Sequence, residues 1–488
     1  MIRSMIHFEC ERGEVLVREA WTNTEIQEQV HRLLDHFSGR FPDARDARIV
    51  IKPNLNNDLV GLTGNSVDLR VLAAVLSWLT DRDYSDITIA DGSNVGVERR
   101  GIDTFKRLRE EAPIYWHEES LEFEPGFWAL TKHEDIIKVS KDPLTFSSAV
   151  GGHLMTMGDP EVVDPTAVAA IIGNMIGMDP PDHQIYRKMV APSFTPKAIR
   201  GLESDMRLKV RELLDNVSDK GEFNFVTEIS EQLPLWVLCE MMGIEESERP
   251  KIRDLVNNLT DASINADPEK SMQVWFNYME LFKMGRDMIE ERRKNPTDDL
   301  MSVVANTKVE GGELPPELLD GFFLLMVIAG NETTRNTITG GLMALTENPK
   351  EREKLIKDPS LIANATDEML RWVTSVIYFR RTATRDTQIR GQDIQKGDKV
   401  VMWYGSANRD EDVFEDGHLF QVDRPNAKKH LAFGAGEHLC LGNRLGHMQI
   451  RILFEELLQR YPNMHSISDP VRVPSNFLAG ISDLKVSI

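Results

Sequence analysis

At 488 residues, 41% hydrophobic and 28% charged, the chain has the apolar material for a sizeable core, which excludes a disordered or fibrous protein. A formal charge of -21 argues against nucleic acid as the main partner, because phosphate binding needs a positive surface. Three cysteines, Cys10, Cys239 and Cys440, show no paired spacing; this excludes a disulfide framework or zinc site and fits a reducing cytoplasm.

In chain order, Arg48 to Lys52 reads as a strand ending at Pro53, Val67 to Thr80 as an apolar-rich helix, and Ile87 to Ala90 as a strand closed by Asp91-Gly92. Together they make one βαβ-like unit. The phrases Ile51-Lys52-Pro53-Asn54-Leu55 and Ile87-Thr88-Ile89-Ala90-Asp91-Gly92 resemble the opening third of an α/β family catalogued as domain of unknown function 362, whose remaining pattern is missing. Lys52 and Asp91, at strand C-termini, either face a ligand or are simply solvated. A seam at Val95 to Gly101 divides this segment of unknown function, residues 1–98, from residues 99–488.

Past the seam, Asp103 is placed as the cap of a short helix through Glu111, and Ile114 to Trp116 and Phe127 to Leu130 as strands flanking a turn. Beyond residue 133 helical periodicity dominates, at Pro196 to Val217, Val226 to Met242, Arg249 to Leu259, Met272 to Arg293, Pro316 to Thr346 and Ala363 to Val373. There is no basic-then-apolar leader, and the strongest apolar run, Phe322 to Ala329, is too short to span a bilayer, so no membrane anchor is expected.

The helix opening at Pro315-Pro316 and closing before Pro349 is expected to run unbroken for about 45 Å. In its middle stands Ala329-Gly330-Asn331-Glu332-Thr333-Thr334. A mid-helix glycine costs about 1 kcal/mol against alanine, so Gly330 marks something lying close to the backbone. Downstream, Glu368 and Arg371 sit three apart on one helical face, where an ion pair can form, and His183 and Arg187 share a face at a spacing of four.

The chain is organised around Phe433-Gly434-Ala435-Gly436-Glu437-His438-Leu439-Cys440-Leu441-Gly442. Leu441, Leu445, Met448 and Ile452 recur at helical spacing, so this glycine-bearing loop delivers Cys440 to a helix N-terminus, which favours an anion such as a thiolate. The glycines let the backbone approach something flat and bulky, and the description is that of an axial haem ligand.

This stretch is similar to the haem-binding loop of the cytochrome P450 monooxygenases and matches it at every fixed position. Phe105 to Pro113 resembles the first helix of the soluble bacterial members, and the likeness runs on to Ile488. The resemblance implies a mainly α, triangular helical domain with small β-sheets over residues 99–488, binding haem b through Cys440. Phe433, Gly434 and Gly442 would line the cofactor from the loop, and Ala329 and Gly330 from the long helix. His183, Arg187, Arg381 and His438 would meet the propionates. Glu332 and Thr333 match the acid and alcohol that serve oxygen activation, and Glu368, Arg371 and Arg424 match a structural network behind the haem. Gly446-His447 departs from the usual alanine-arginine.

The activity implied is insertion of one atom of O2 into an apolar C–H bond of a small substrate. No flavin or iron–sulfur motif is visible, so electrons are expected from a separate ferredoxin or flavodoxin with its NAD(P)H reductase, docking near Lys428, Lys429 and Arg444. Ala329 to Asn336, Arg381-Thr382-Ala383 and Phe477 to Ile481 resemble the subgroup acting on sterol side chains, methyl-branched lipids, terpenoid alcohols and alkyl chains. The segments 151–178, 374–379 and 477–481 are the expected pocket walls. Two alternatives are a haem protein that binds or senses without oxygenating and a peroxide-using relative; both often lose the acid–alcohol pair present here.

Overall fold

The computed structural model describes nearly all of residues 99–152, 174–256, 268–309 and 312–488 and, of residues 1–98, four strands and short helical stretches. The chain divides into two compact units, residues 1–93 with 119–125 and 262–271, and the remainder.

In the first unit, strands Ile49–Ile51 and Ile87–Ile89 pair in parallel, with Ile49 opposite Ile87. Parallel neighbours need a crossover, and helical residues 77–79 between them, with Trp78 and Leu79 buried, supply part of it. Trp78 Nε1 donates to Asp35 at 2.9 Å, and the Arg82 guanidinium lies 4.1 Å over the Trp78 ring. An antiparallel hairpin of Ser4–Glu9 with Val15–Ala20 is an element that periodicity did not reveal. Lys52, Asp91 and Cys10 lie outside the described residues.

In the second unit the first helix spans Arg99–Glu111, so Asp103 lies within it and is not its cap. A five-stranded sheet follows, built from β1 (Ile114–Leu121), β2 (Glu124–Leu130), β3 (Phe146–Ser147), β4 (Tyr378–Ala383) and β5 (Lys399–Trp403) in the order β1-β2-β5-β4-β3. β2 and β5 run parallel with Val400 opposite Trp128, and β5 and β4 antiparallel with Val400 opposite Arg381.

The helices that position the site are α1 (Asp182–Val190), α2 (Pro316–Ala329), α3 (Glu332–Glu347), α4 (Ile362–Val373) and α5 (Asn443–Arg460). The expected single long helix is therefore two. The ladder is interrupted at Gly330-Asn331, where the Thr333 hydroxyl donates to the Ala329 carbonyl at 2.9 Å. A side-chain donor inserted into the backbone ladder is an ordinary cause of a helix break. Pro196 to Val217 likewise divides, into Pro196–Gly201 and Glu203–Asp215, and Val226 to Met242 opens with a π-helical turn at Val226–Ser230.

Within α3, two adjacent glycines set the packing distance. A Cβ on Gly340 would stand 2.6 Å from Val373 Cγ2 of α4, and one on Gly341 would stand 2.9 Å from Met369 Sδ of α4 and 3.1 Å from Phe454 Cζ of α5. The three helices share the main buried core, which includes Ile338, Leu342, Met369, Leu453 and Leu457.

Candidate functional site

The cysteine loop is built by its glycines. Gly434 and Gly436 adopt φ of +71° and +69°, a region where a side chain is strained, and a Cβ at Gly436 would stand 2.0 Å from the Ser140 carbonyl oxygen. The loop closes on itself through Cys440 N–H to the Phe433 carbonyl at 2.9 Å. α5 begins at Asn443, three residues after the cysteine, and the Gly442 N–H points at the sulfur. Burial pushes the Cys440 thiol up, against the pull of that N–H and of the Arg187 guanidinium. A cation bound at the sulfur is what would favour the thiolate here. A Cβ at Gly442 would meet nothing within 4 Å.

Beside the cysteine the fold assembles residues from three elements: His183 and Arg187 from α1, Arg381 from β4 and His438 from the loop. The rings of His183 and His438 lie 4.1 Å apart, His183 is buried, and its Nδ1 has no hydrogen-bond partner. Arg187 donates to the Leu439 carbonyl at 2.6 Å and Arg381 to the Arg380 carbonyl at 2.8 Å; among the described residues neither makes an ion pair. Two acids stand nearby: Asp179 holds Ser147 Oγ and the Ser148 N–H, and Glu437 accepts from Gln184 through one oxygen while its other, buried, has no partner.

Burial, then the charges of Arg381, His183 and Arg187, drives His438 down to about 3, while its Nε2 lies 3.1 Å from Ser148 Oγ. Burial also lowers Arg381 and Arg187. A buried arginine, a half-buried one and an unpaired histidine nitrogen, all without carboxylate partners, form a cradle for an anionic group entering beside Cys440.

On the opposing helices, Glu332 and Thr333 take different surroundings. Glu332 is buried and accepts from Arg335 Nη2 at 3.1 Å, while Thr333 is partly exposed and holds the helix break. Burial, with the Glu332 charge adding to it, pushes the Tyr278 hydroxyl up to about 12. Asn331, fully buried at the break, has neither polar side-chain atom bonded. Behind the loop, Arg371 and Arg424 converge on Glu368 at 2.7 and 3.1 Å, and their remaining donors reach the carbonyls of Asn408, Gly417, Leu419 and Glu415.

The structure thus brings together Cys440, His183, Arg187, Arg381 and His438 in one place and Glu368, Arg371 and Arg424 in another. Of the expected pocket walls, residues 153–173 lie outside the described residues. The other two walls meet: Val376 bridges to Leu478, and the rings of Phe379 and Phe477 lie 5.5 Å apart. Sequence reasoning gave no individual role to Ser148, Asp179, Asn331 or Ser375, though Asn331 stood in the helix motif and Ser375 in an expected wall. For Asp179 a signal existed in the Asp179-Pro180-Pro181 turn that precedes α1; for Ser375 there was none.

A sequence model of the family described as Cytochrome P450 matches residues 150–480. The chain belongs to the cytochrome P450 family. As a cytochrome P450 it is a monooxygenase whose cofactor is haem b, and the cradle beside Cys440, whose Arg187 and Arg381 make no ion pair among the described residues, fits that dianionic group. This P450 is 38% identical to linalool 8-monooxygenase of Pseudomonas putida over 79% of the chain and 94% of the relative. It is 34% identical to steroid C26-monooxygenase of Rhodococcus jostii over 80% and 83%, and 36% identical to methyl-branched lipid omega-hydroxylase of Mycobacterium bovis over 78% and 90%. Among solved structures, it is similar to a Mycobacterium marinum cytochrome P450 in complex with pseudoionone, at TM-score 0.74 and 34% identity, over 81% of this chain and 96% of that one. Among the described residues, no helix of this P450 is long and apolar enough to cross a membrane.

Proposed function

We propose that this P450 hydroxylates an apolar C–H bond of a sterol side chain, terpenoid or branched alkyl chain, with Cys440 as the axial ligand of the haem iron. The observation that carries the reading is the cradle of two arginines, Arg187 and Arg381, and two histidines, His183 and His438, set beside a cysteine in a glycine-turned loop. When bound, haem b supplies the thiolate-ligated iron at which dioxygen is activated, one oxygen atom entering the substrate and the other leaving as water.

The chain's own residues do the rest. Arg187 and Arg381 would hold the propionates, with His438 and His183 beside them. Phe433, Gly434, Gly442, Ala329 and Gly330 would line the haem group. Glu332, oriented by Arg335, would relay protons through its carboxylate, and Thr333 would offer the hydroxyl through which they reach the reacting side. Glu368, Arg371 and Arg424 hold the loop's supporting shell.

The apolar walls at 374–379 and 477–481, rich in aromatic rings, suit a bulky hydrocarbon, and the relatives' named substrates point to the same class. A ferredoxin in the cytoplasm, reduced by its NAD(P)H reductase, would dock over Cys440 at the exposed Lys428, Lys429 and Arg444.

Two spectra test this. The reduced protein with carbon monoxide should show the strongly red-shifted Soret band of thiolate ligation, lost in Cys440→Ser; a histidine-type band in the unmutated protein overturns the ligand. Titration with linalool, a sterol and a methyl-branched fatty acid should shift the ferric spectrum toward high spin. If all three leave it unchanged while a polar aromatic shifts it, the substrate class is wrong.

A further inference from the structure

One residue joins the substrate wall to the helix break, and it belongs to no motif. Thr374, which follows α4, has φ of +47°, a left-handed conformation that a β-branched residue adopts only when its surroundings impose it. Here they do. The Thr374 hydroxyl donates to the Arg371 carbonyl at 2.7 Å and accepts from Asn408 Nδ2 at 2.9 Å.

The strained turn aims the next residue, Ser375, across to α3. Ser375 Oγ donates to the Thr333 carbonyl at 2.9 Å and lies 2.7 Å from Thr337 Oγ1, which is itself 2.9 Å from the same carbonyl. Both hydroxyl groups are buried. On its other side the Ser375 carbonyl accepts from the Ala479 N–H at 2.9 Å, next to the Val376 and Leu478 bridge. One serine therefore ties the backbone of Thr333 to both described pocket walls.

We propose that Ser375 is a positioning residue: it fixes the Thr333 carbonyl, and through it the aim of the Thr333 hydroxyl, so that substrate pressed against 374–379 and 477–481 steadies proton delivery. The inference rests on the proposed role of Thr333. A buried hydroxyl held by a carbonyl and a neighbouring hydroxyl has little freedom to move without leaving a polar group unsatisfied. Movement of the wall is therefore transmitted to the helix break.

The test compares Ser375→Ala, Ser375→Thr and Thr333→Ala in the haem-loaded protein, using a surrogate ferredoxin and reductase. Two readouts are taken. The first is hydrogen peroxide released per electron pair consumed from NADH, where a misdirected pair leaves with two protons and dioxygen as peroxide. The second, independent of turnover and of substrate, is amide exchange across residues 330–340.

Ser375→Ala should keep the thiolate carbon monoxide band, speed exchange across 330–340 by about fivefold, the loss of one ordinary hydrogen bond, and raise the peroxide fraction toward that of Thr333→Ala. Ser375→Thr, which keeps a hydroxyl, should restore both. If Thr333→Ala uncouples and Ser375→Ala does not, or if exchange is unchanged in Ser375→Ala, the positioning role fails by itself. If Thr333→Ala leaves coupling intact, the role of Thr333 fails and takes this inference with it.

Discussion

Arg371 holds Glu368 through two parallel hydrogen bonds of 2.7 Å, Nε to Oε2 and Nη2 to Oε1, with neither side chain exposed. Removing one partner of a buried, hydrogen-bonded pair leaves a charge without compensation, which costs about 3–5 kcal/mol. Glu368→Gln should accordingly give little folded haem protein. Arg371→Lys should do almost the same, because an ammonium cannot reproduce the planar fork that also reaches three carbonyls. Soluble yield and the carbon monoxide spectrum check both; a Lys variant with full haem content would reject the geometric argument.

The loop glycines make opposite predictions. Gly436→Ala places a methyl 2.0 Å from the Ser140 carbonyl oxygen at positive φ, so the loop has to shift. The strain alone is about 1–2 kcal/mol. Gly442→Ala meets nothing within 4 Å and has an ordinary φ of -83°, so the haem-free chain should unfold at an unchanged denaturant midpoint. Equal midpoints for the two variants would contradict the loop as described.

A pH effect is expected at Asp367. Burial works to raise its carboxyl, but His430 and His447, at 3.7 and 3.3 Å, outweigh burial and hold it well below the usual carboxylate range. A carboxylate whose folded value is depressed stabilises the protein above its unfolded value, and this is lost as pH falls below about 4 toward the folded value. Asp367→Asn should lower the melting temperature at pH 7 and flatten its decline on the acid side. Parallel melting curves for the two proteins from neutral pH downward would remove Asp367 from the account.

Deleting residues 1–98 should leave a haem protein. Every residue assigned to the site, and the buried clusters around Ile136, Val210 and Leu453, lie downstream. Haem incorporation and the melting temperature of the truncated chain decide this; failure to take up haem would give the first segment a structural role in the P450.

Much of this arrangement is legible in the amino-acid sequence. Glycine positions, a cysteine ahead of a helical period, and two i,i+3 or i,i+4 pairs announce the loop, the network and half of the cradle, because those signals are local. The break at Gly330-Asn331 is not legible there: it depends on which way the Thr333 hydroxyl turns, and periodicity describes backbone faces rather than side-chain donors. Ser375 is invisible for another reason. Its partner is 42 residues away, and an isolated serine beside a threonine carries no pattern. His447 stands out only as a departure, and its pairing with Asp367 shows what replaces the expected arginine.

Gly340 and Gly341 bring α3 against α4 and α5 so closely that a single added methyl would collide with Val373, Met369 or Phe454. The helix carrying Thr333, the helix carrying Glu368 and Arg371, and the helix that anchors the cysteine loop are thereby clamped into one block. The spacing of these three helices is thus set by glycine-lined backbone contact, and at Val373 that contact directly adjoins residues 374–379. If residues 374–379 and 477–481 line the substrate, drift there would reach this block through polar links such as Ser375 Oγ to the Thr333 carbonyl and the Ile481 N–H to Asn336.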